Sequence, residues 1–265
     1  MYSLAFSSLQ SAKISVFPAH HKYTAVAANS QSAKITTVLR IGVKFPAHHK
    51  CAAVGKVYRS LIYKGVKTTM SEIILASASP RRKELLQNMG LDFSVVVSDA
   101  DESLVDRDVV PGIYVQQLAF LKAAESAKKI IKNKNAVVIA ADTIVVEGGV
   151  VLGKPSDEHD ARSMLKRLSG KTHKVYTGFC VMRLSDAKTV CKDVATEVTF
   201  RALSDEKIES YIKSGEPMDK AGAYGIQGLG AMLIDRINGD YFNVVGLPVG
   251  ELANVLETEF DFKLI

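Results

Sequence analysis

Acidic residues are missing from the first 71 positions of this 265-residue chain, and the first to appear is Glu72. Cysteine is sparse: Cys51, Cys180 and Cys191, with no Cys-x-x-Cys among them. That excludes a disulfide framework and a thiolate zinc site, and it suits a reducing interior compartment. Tryptophan is absent, which says nothing about function. No apolar run approaches the roughly 20 residues needed to span a bilayer, so no membrane partner is expected. What remains is the composition of an ordinary globular protein, 47% hydrophobic and 23% charged, long enough to bury a sizeable core.

The excess of positive charge is local. The chain has 34 Lys+Arg against 28 Asp+Glu. Residues 1–70 hold ten of the basic residues and no acid, so the remainder carries a net charge of −4. A nucleic-acid footprint should appear as a basic face on the folded domain, and no stable nucleic-acid complex is expected here. Within the extension, Phe17-Pro18-Ala19-His20-His21-Lys22 recurs as Phe45-Pro46-Ala47-His48-His49-Lys50. Paired histidines can bind metal, but no carboxylate or thiolate accompanies them. An acid-poor, basic segment also fits an organelle transit peptide. The simplest reading is a disordered leader ahead of a folded body at 71–265, with Met70 able to serve as a start. The expected location is then cytoplasmic, or an organelle if residues 1–70 are a transit segment.

From residue 71 the pattern is regular. Ile73-Ile74-Leu75-Ala76 reads as a short buried strand, Arg81–Met89 as a helix stopped by Gly90, and Phe93–Val97 as a second strand. Pro111 opens a long helix to about Lys132. Ala136–Val146 is an apolar strand. Ser156 caps a helix ending at Gly170, with Ala161, Met164, Leu165 and Leu168 on its buried face. Val175–Leu184 and Thr189–Phe200 alternate as a long hairpin. Ser204 caps a helix that Gly215 stops. A strand near Met232–Asp235 and a helix from about Val249 follow. Strands alternating with helices, plus antiparallel hairpins, predict an α/β domain on a mixed sheet.

Five constellations carry chemistry. In Ser77-Ala78-Ser79-Pro80-Arg81-Arg82 a strand gives way to a capped helix with proline at its first position. The free N–H groups of such an end attract anions, and Arg81 and Arg82 add forked donors that match phosphate oxygens. Two solvated arginines on a capped helix would read the same way. Asp142, within Ala140-Ala141-Asp142-Thr143-Ile144, is a carboxylate in an apolar run, which is costly unless it is paired, hydrogen-bonded or bound to metal. It is a candidate general base or metal ligand. Asp99-Ala100-Asp101-Glu102 clusters hard oxygen ligands that suit Mg²⁺, though such runs commonly line solvated loops. Lys122, in the long helix, and Lys154, in Gly153-Lys154-Pro155, are candidate phosphate contacts. Asp219-Lys220-Ala221-Gly222-Ala223-Tyr224-Gly225-Ile226-Gln227-Gly228 places glycines around Gln227, whose amide offers a donor and an acceptor to a pyrimidine edge. A tight loop with structural glycines is the plainer alternative. Other signatures fail: Gly228-Leu229-Gly230 lacks the third glycine of a dinucleotide fold, and Gly170-Lys171-Thr172 has Leu165 where a P-loop needs glycine. No Gly-x-Ser-x-Gly is present. His173, at a strand start, reads as structural.

These elements, in this order from about Ile73 to Leu252, resemble the Maf family, first known as septum-formation inhibitors and described as nucleotide pyrophosphatases. The form of the Asp219–Gly228 segment looks like the branch acting on dTTP and UTP, releasing the monophosphate and pyrophosphate. The resemblance implies Asp142 as proton acceptor. It implies Arg81, Thr143 and Gln227 as the residues that set substrate choice. Ser77, Arg82, Glu102, Lys122 and Lys154 would line a phosphate and metal cleft, with Glu102 and Asp142 holding Mg²⁺ or Mn²⁺. The implied fold is similar to that of inosine triphosphate pyrophosphatases: an elongated mixed sheet, two lobes around a central cleft, often a homodimer. Cleavage of 7-methyl-GTP or another modified nucleotide is the alternative within the enzyme class. A non-enzymatic regulator of cell division or nucleic acid is the alternative outside it. The nucleotide reading requires Asp142 to share a pocket with the arginines that open the first helix of the body.

Overall fold

The structure is a computed structural model that describes residues 12–19, 22–29, 71–130 and 133–264. The chain divides into two units, Met1–Thr69 and Met70–Ile265. In the first, β1 (Ala12–Ala19) and β2 (Lys22–Asn29) pair as an antiparallel hairpin. The paired histidines at 20–21 and 48–49, and Cys51, lie outside the described residues.

The second unit is built on a seven-stranded mixed sheet. β3 (Ile73–Leu75) lies between β4 (Phe93–Val95) and β5 (Val137–Glu147), parallel to both. On the other edge of β5 follow β7 (Thr172–Arg183), β8 (Thr189–Phe200) and β9 (Ile234–Asn238), all antiparallel to their neighbours. β6 (Val150–Leu152) folds back on β5 through the Gly148-Gly149 turn. The predicted α/β class and mixed sheet are what forms.

Four of the six described α-helices begin at a capping side chain, and the other two follow Val110 and Pro248 with no side-chain cap. α1 (Pro80–Asn88) has Ser79 as its cap, whose hydroxyl accepts from Arg82 N–H at 3.4 Å, and Pro80 in its first turn. α2 (Pro111–Lys129) ends on Lys128 and Lys129, cations at the negative end of the helix dipole. It stops short of the expected Lys132. α3 (Glu158–Leu168) is capped by Asp157 rather than Ser156. Asp157 accepts from Asp160 N–H at 2.7 Å, while Ser156 N–H donates back to the Asp160 carboxylate at 3.0 Å. Together the two bonds tie the residue before the cap and the first turn of α3 to each other. α4 (Asp205–Lys213) starts at the predicted Ser204 cap. A short α5 (Tyr241–Val245), capped by Asp240, was not legible as a helix, since five residues give no period. α6 (Val249–Phe260) closes the fold. Among the described residues no helix is long and apolar enough to cross a membrane.

β5 is covered on both faces. Val138 and Ala140 pack on Ala119 and Ala123 of α2, and Ile144 packs on Val115 and Leu118. On the opposite face, Ile139 and Ala141 join Leu86 of α1 and Leu252 of α6 in one apolar cluster. Val145 joins Leu165 of α3 and Ile212 of α4 in another. Each fully buried leucine in these clusters stabilises by roughly 2 kcal/mol relative to exposure. Between the two clusters the inward positions turn polar: Thr143 on β5 and Thr177 on β7. The apolar cluster around Ile139 and the one around Val145 meet along this polar seam.

Candidate functional site

The site sits where β5 lacks a neighbour. β3 pairs with β5 at residues 137–139 and β6 pairs with it at 145–147, along the same edge. Residues 140–144 are left with no strand beside them on that edge among the described residues. N–H and C=O groups alternate in direction along a strand. Val137 N–H donates to Glu72 and Ile139 C=O accepts from Ala76 on the β3 side. By that alternation the backbone groups of Ala141 and Thr143 face the gap. Asp142 stands at its centre.

Asp142 points to the α2 face. Its Oδ1 lies 2.5 Å from Nζ of Lys122, and Oε1 of Glu102 lies 2.8 Å from the same ammonium. Asp142 and Lys122 are mostly shielded, with side chains 14% and 18% exposed, whereas Glu102 is 53% exposed. α2 reaches this position because β7 carries Gly178 opposite Asp142. A Cβ on Gly178 would lie 2.4 Å from the carbonyl of Val115. Lys122 is two turns further along the same helix face. The acidic run 99–102 divides: Asp99 pairs with Lys129, Asp101 caps a turn by accepting from Ser103, and only Glu102 reaches Lys122.

Arg82 approaches from the other face. Its Nε donates to Gly246 C=O at 2.8 Å, Nη1 to Ser77 Oγ at 3.3 Å, and Nη2 to Thr143 Oγ1 at 3.0 Å. Thr143 Oγ1 lies 2.9 Å from Thr177 Oγ1, which donates to Asn243 C=O at 2.8 Å. Asn243 donates to Val175 C=O and Thr196 Oγ1, at 3.0 and 2.9 Å. This chain of bonds is the polar seam, and it locks α1, β5, β7 and α5 together. Burial pulls the Arg82 guanidinium below its ordinary value, and the charge of Asp142 pushes it back up. No ion pair joins Asp142 to Arg81 or Arg82 among the described residues. The expectation that Asp142 shares one pocket with both arginines is not met by a direct contact: the Asp142 carboxylate and the Arg82 guanidinium lie on opposite faces of β5, joined only by the pull of the Asp142 charge on Arg82, and Arg81 pairs elsewhere.

Arg81 turns away from this network and meets Asp219 at 3.3 Å. Asp219 also accepts from Lys220 at 2.7 Å. Gln227 is half-buried and does not cap the turn that follows it. Lys154 is exposed, and its neighbour Gly153 accepts from Gly222 N–H at 2.9 Å. The structure therefore joins Ser77, Arg82 and Thr143 in one network and Glu102, Lys122 and Asp142 in another. Arg81 shares α1 with Arg82 but turns its side chain to Asp219, and among the described residues no hydrogen bond or ion pair joins the Lys154 or Gln227 side chain to either network. Sequence reading assigned no role to Thr177, Asn243 or Asp219. A threonine between the inward-facing Val175 and Phe179 of a strand was the available signal for Thr177. Asn243 had none, because its helix was not recognised.

Glu102 and Asp142 are two carboxylates held together by the Lys122 ammonium between them, and no third His, Cys, Asp or Glu joins them among the described residues. That donor set fits a hard divalent cation that completes its coordination with phosphate and water.

Comparisons with known proteins place the chain. Residues 72–259 match the family described as Maf-like protein. A dTTP/UTP pyrophosphatase of Alkaliphilus metalliredigens is 50% identical over 196 residues, 74% of this chain and all of that protein. One from Clostridioides difficile is 47% identical over 192 residues, 72% of this chain and 97% of its own length. A HAM1 protein from Coxiella burnetii, a solved structure, has a TM-score of 0.42 at 16% identity, covering 71% of this chain and 99% of that one. With a family match over most of its length and relatives at half identity, this chain belongs to the Maf family.

Proposed function

We propose that this protein is a nucleoside triphosphate pyrophosphatase that hydrolyses dTTP and UTP to the monophosphate and pyrophosphate. Its relatives at about half identity are dTTP/UTP pyrophosphatases, which supports the reading. The observation that carries it is Asp142, a shielded carboxylate at the unpaired centre of β5 with a lysine on one side and a buried arginine network on the other. A site that only bound phosphate would gain nothing from a carboxylate among its cations.

In this mechanism Arg81, Arg82, Lys122 and Lys154 hold the triphosphate, and Ser77 adds a hydroxyl donor at the mouth of α1. Asp142 accepts a proton from water as the water oxygen bonds to the α-phosphorus. The bond from that phosphorus to the bridging oxygen breaks, and its electron pair leaves with pyrophosphate. Glu102 and Asp142 are the residues that would hold Mg²⁺ or Mn²⁺, which when bound neutralises charge on the phosphates. Lys122, bridging the two carboxylates, keeps both aimed at the same point. Thr143 and Gln227 face the nucleoside end and select it.

The test is pyrophosphate release across a nucleotide panel that includes dTTP, UTP, CTP, GTP and 7-methyl-GTP. dTTP and UTP should be cleaved fastest, a chelator should abolish turnover, and Mg²⁺ or Mn²⁺ should restore it. Protein that leaves every nucleotide intact with both metals present would refute the reading.

A further inference from the structure

Gln227 is bracketed by a clamp that its own motif does not contain. Glu216 lies just after α4, and Tyr211 lies in its last turn. Glu216 Oε2 accepts from Leu229 N–H at 2.9 Å, and Oε1 accepts from Gly230 N–H at 3.0 Å. Tyr211 Oη donates to Glu216 Oε1 at 3.0 Å and accepts from Gly225 N–H at 3.2 Å. The backbone is thus pinned two residues before Gln227 and again two and three residues after it.

The glycines of this loop are explained by the same pair. A Cβ on Gly230 would lie 2.2 Å from Gly225 C=O and 2.7 Å from Tyr211 Oη. One on Gly228, at φ +65°, would lie 2.8 Å from Glu216 Oε2. The chain wraps the Glu216–Tyr211 pair too closely to admit side chains. Burial pushes the Tyr211 phenol up, so its proton stays in place to donate. Burial also pushes Glu216 up, but the two backbone N–H groups and the Tyr211 hydroxyl outweigh it and hold the carboxyl below its ordinary value. Three donors therefore converge on an ionised acceptor, an arrangement an amide cannot reproduce.

We infer that Glu216 and Tyr211 are positioning residues for nucleobase discrimination, acting by fixing the backbone on either side of Gln227. Neither touches the catalytic cluster at Asp142 in this geometry, so their loss should alter which base is accepted rather than the chemical step. The inference rests on the reading of Gln227 as the base contact.

Glu216→Gln sets an NH₂ against at least one of the three donors, and Tyr211→Phe removes the hydroxyl alone. For each, kcat and KM are measured on UTP and CTP, together with Tm and a Gln227→Ala comparison. The expected result is a fall of about tenfold in the UTP-over-CTP ratio of kcat/KM, the factor that one hydrogen-bonded contact supplies. It should come through KM for UTP, with kcat within about twofold. Simple destabilisation lowers the folded fraction equally for both nucleotides and leaves the ratio unchanged. If Gln227→Ala shifts the ratio and neither clamp variant does, the inference is overturned while the base-reading role stands. If Gln227→Ala leaves the ratio unchanged, the base-reading role fails and takes the inference with it. Should Glu216→Gln not fold, Tyr211→Phe alone decides.

Discussion

Asp142 and Thr143 are neighbours that leave opposite faces of one strand, and the site uses both faces. Asp142 takes Lys122 and Glu102, and Thr143 takes Arg82. The sharpest expectation at this scale concerns Asp142→Asn, which keeps shape and removes the proposed proton acceptor. Turnover on dTTP should fall by about a thousandfold or more, while equilibrium binding of the nucleotide persists. Retained turnover would show that another group takes the proton. A second residue-scale expectation concerns His173, which is 2% exposed. Its Nε2 lies 2.7 Å from Tyr224 Oη, and Nδ1 has no partner among the described residues. Burial lowers its pKa from 6.5 to about 4, against a smaller upward pull from Glu147. The unfolded chain therefore binds a proton between these values that the folded chain does not. Stability is full above pH 6.5 and is lost as pH falls towards 4, by up to about 3 kcal/mol. Denaturant titrations from pH 7 to 4 should show that slope in the native protein and a flatter one in His173→Asn. Equal slopes would assign the loss to carboxylates instead.

At the scale of elements, α2 is set on the sheet by the absence of one side chain. Gly178→Ala places a Cβ against the Val115 backbone and must lift the helix. Overpacking of this kind costs about 1–3 kcal/mol. Because Lys122 rides on α2, kcat should fall along with Tm. Gly250→Ala is the opposite case. It lies in α6 with open space where its Cβ would go. That change should stabilise by about 0.5–1 kcal/mol, with turnover untouched. Thermal melts and turnover of the two variants check both signs. A Gly178→Ala protein with native Tm and kcat would contradict the close packing of helix on strand.

For the whole molecule, the division at Thr69/Met70 leaves the family match at 72–259 wholly within the second unit. We expect protein beginning at Met70 to keep the Tm and the kcat/KM of the full chain. A loss in either, measured side by side, would give the extension a part in the fold or the site. The seam between the two apolar clusters is the other large-scale feature. It carries Thr143, Thr177 and Asn243, whose hydrogen bonds interrupt the apolar packing between the two clusters.

The sequence by itself determined the class of fold, most element positions and the residues that carry charge into the site. Capping residues, glycine stops and period-two alternation are local signals, and Ser79, Ser204 and the 189–200 strand follow from them directly. A carboxylate in an apolar run was legible because burying it is costly wherever it lands. Tertiary structure alone decided that β3 and β6 stop short of each other along β5 and so leave Asp142 at a gap. It also decided that Asp157 rather than Ser156 caps α3, and that Glu216 and Tyr211 grip the loop of Gln227. Strand pairing and loop contacts of this kind join residues far apart in the chain. No local period or propensity encodes which partner a free edge or a buried carboxylate will find.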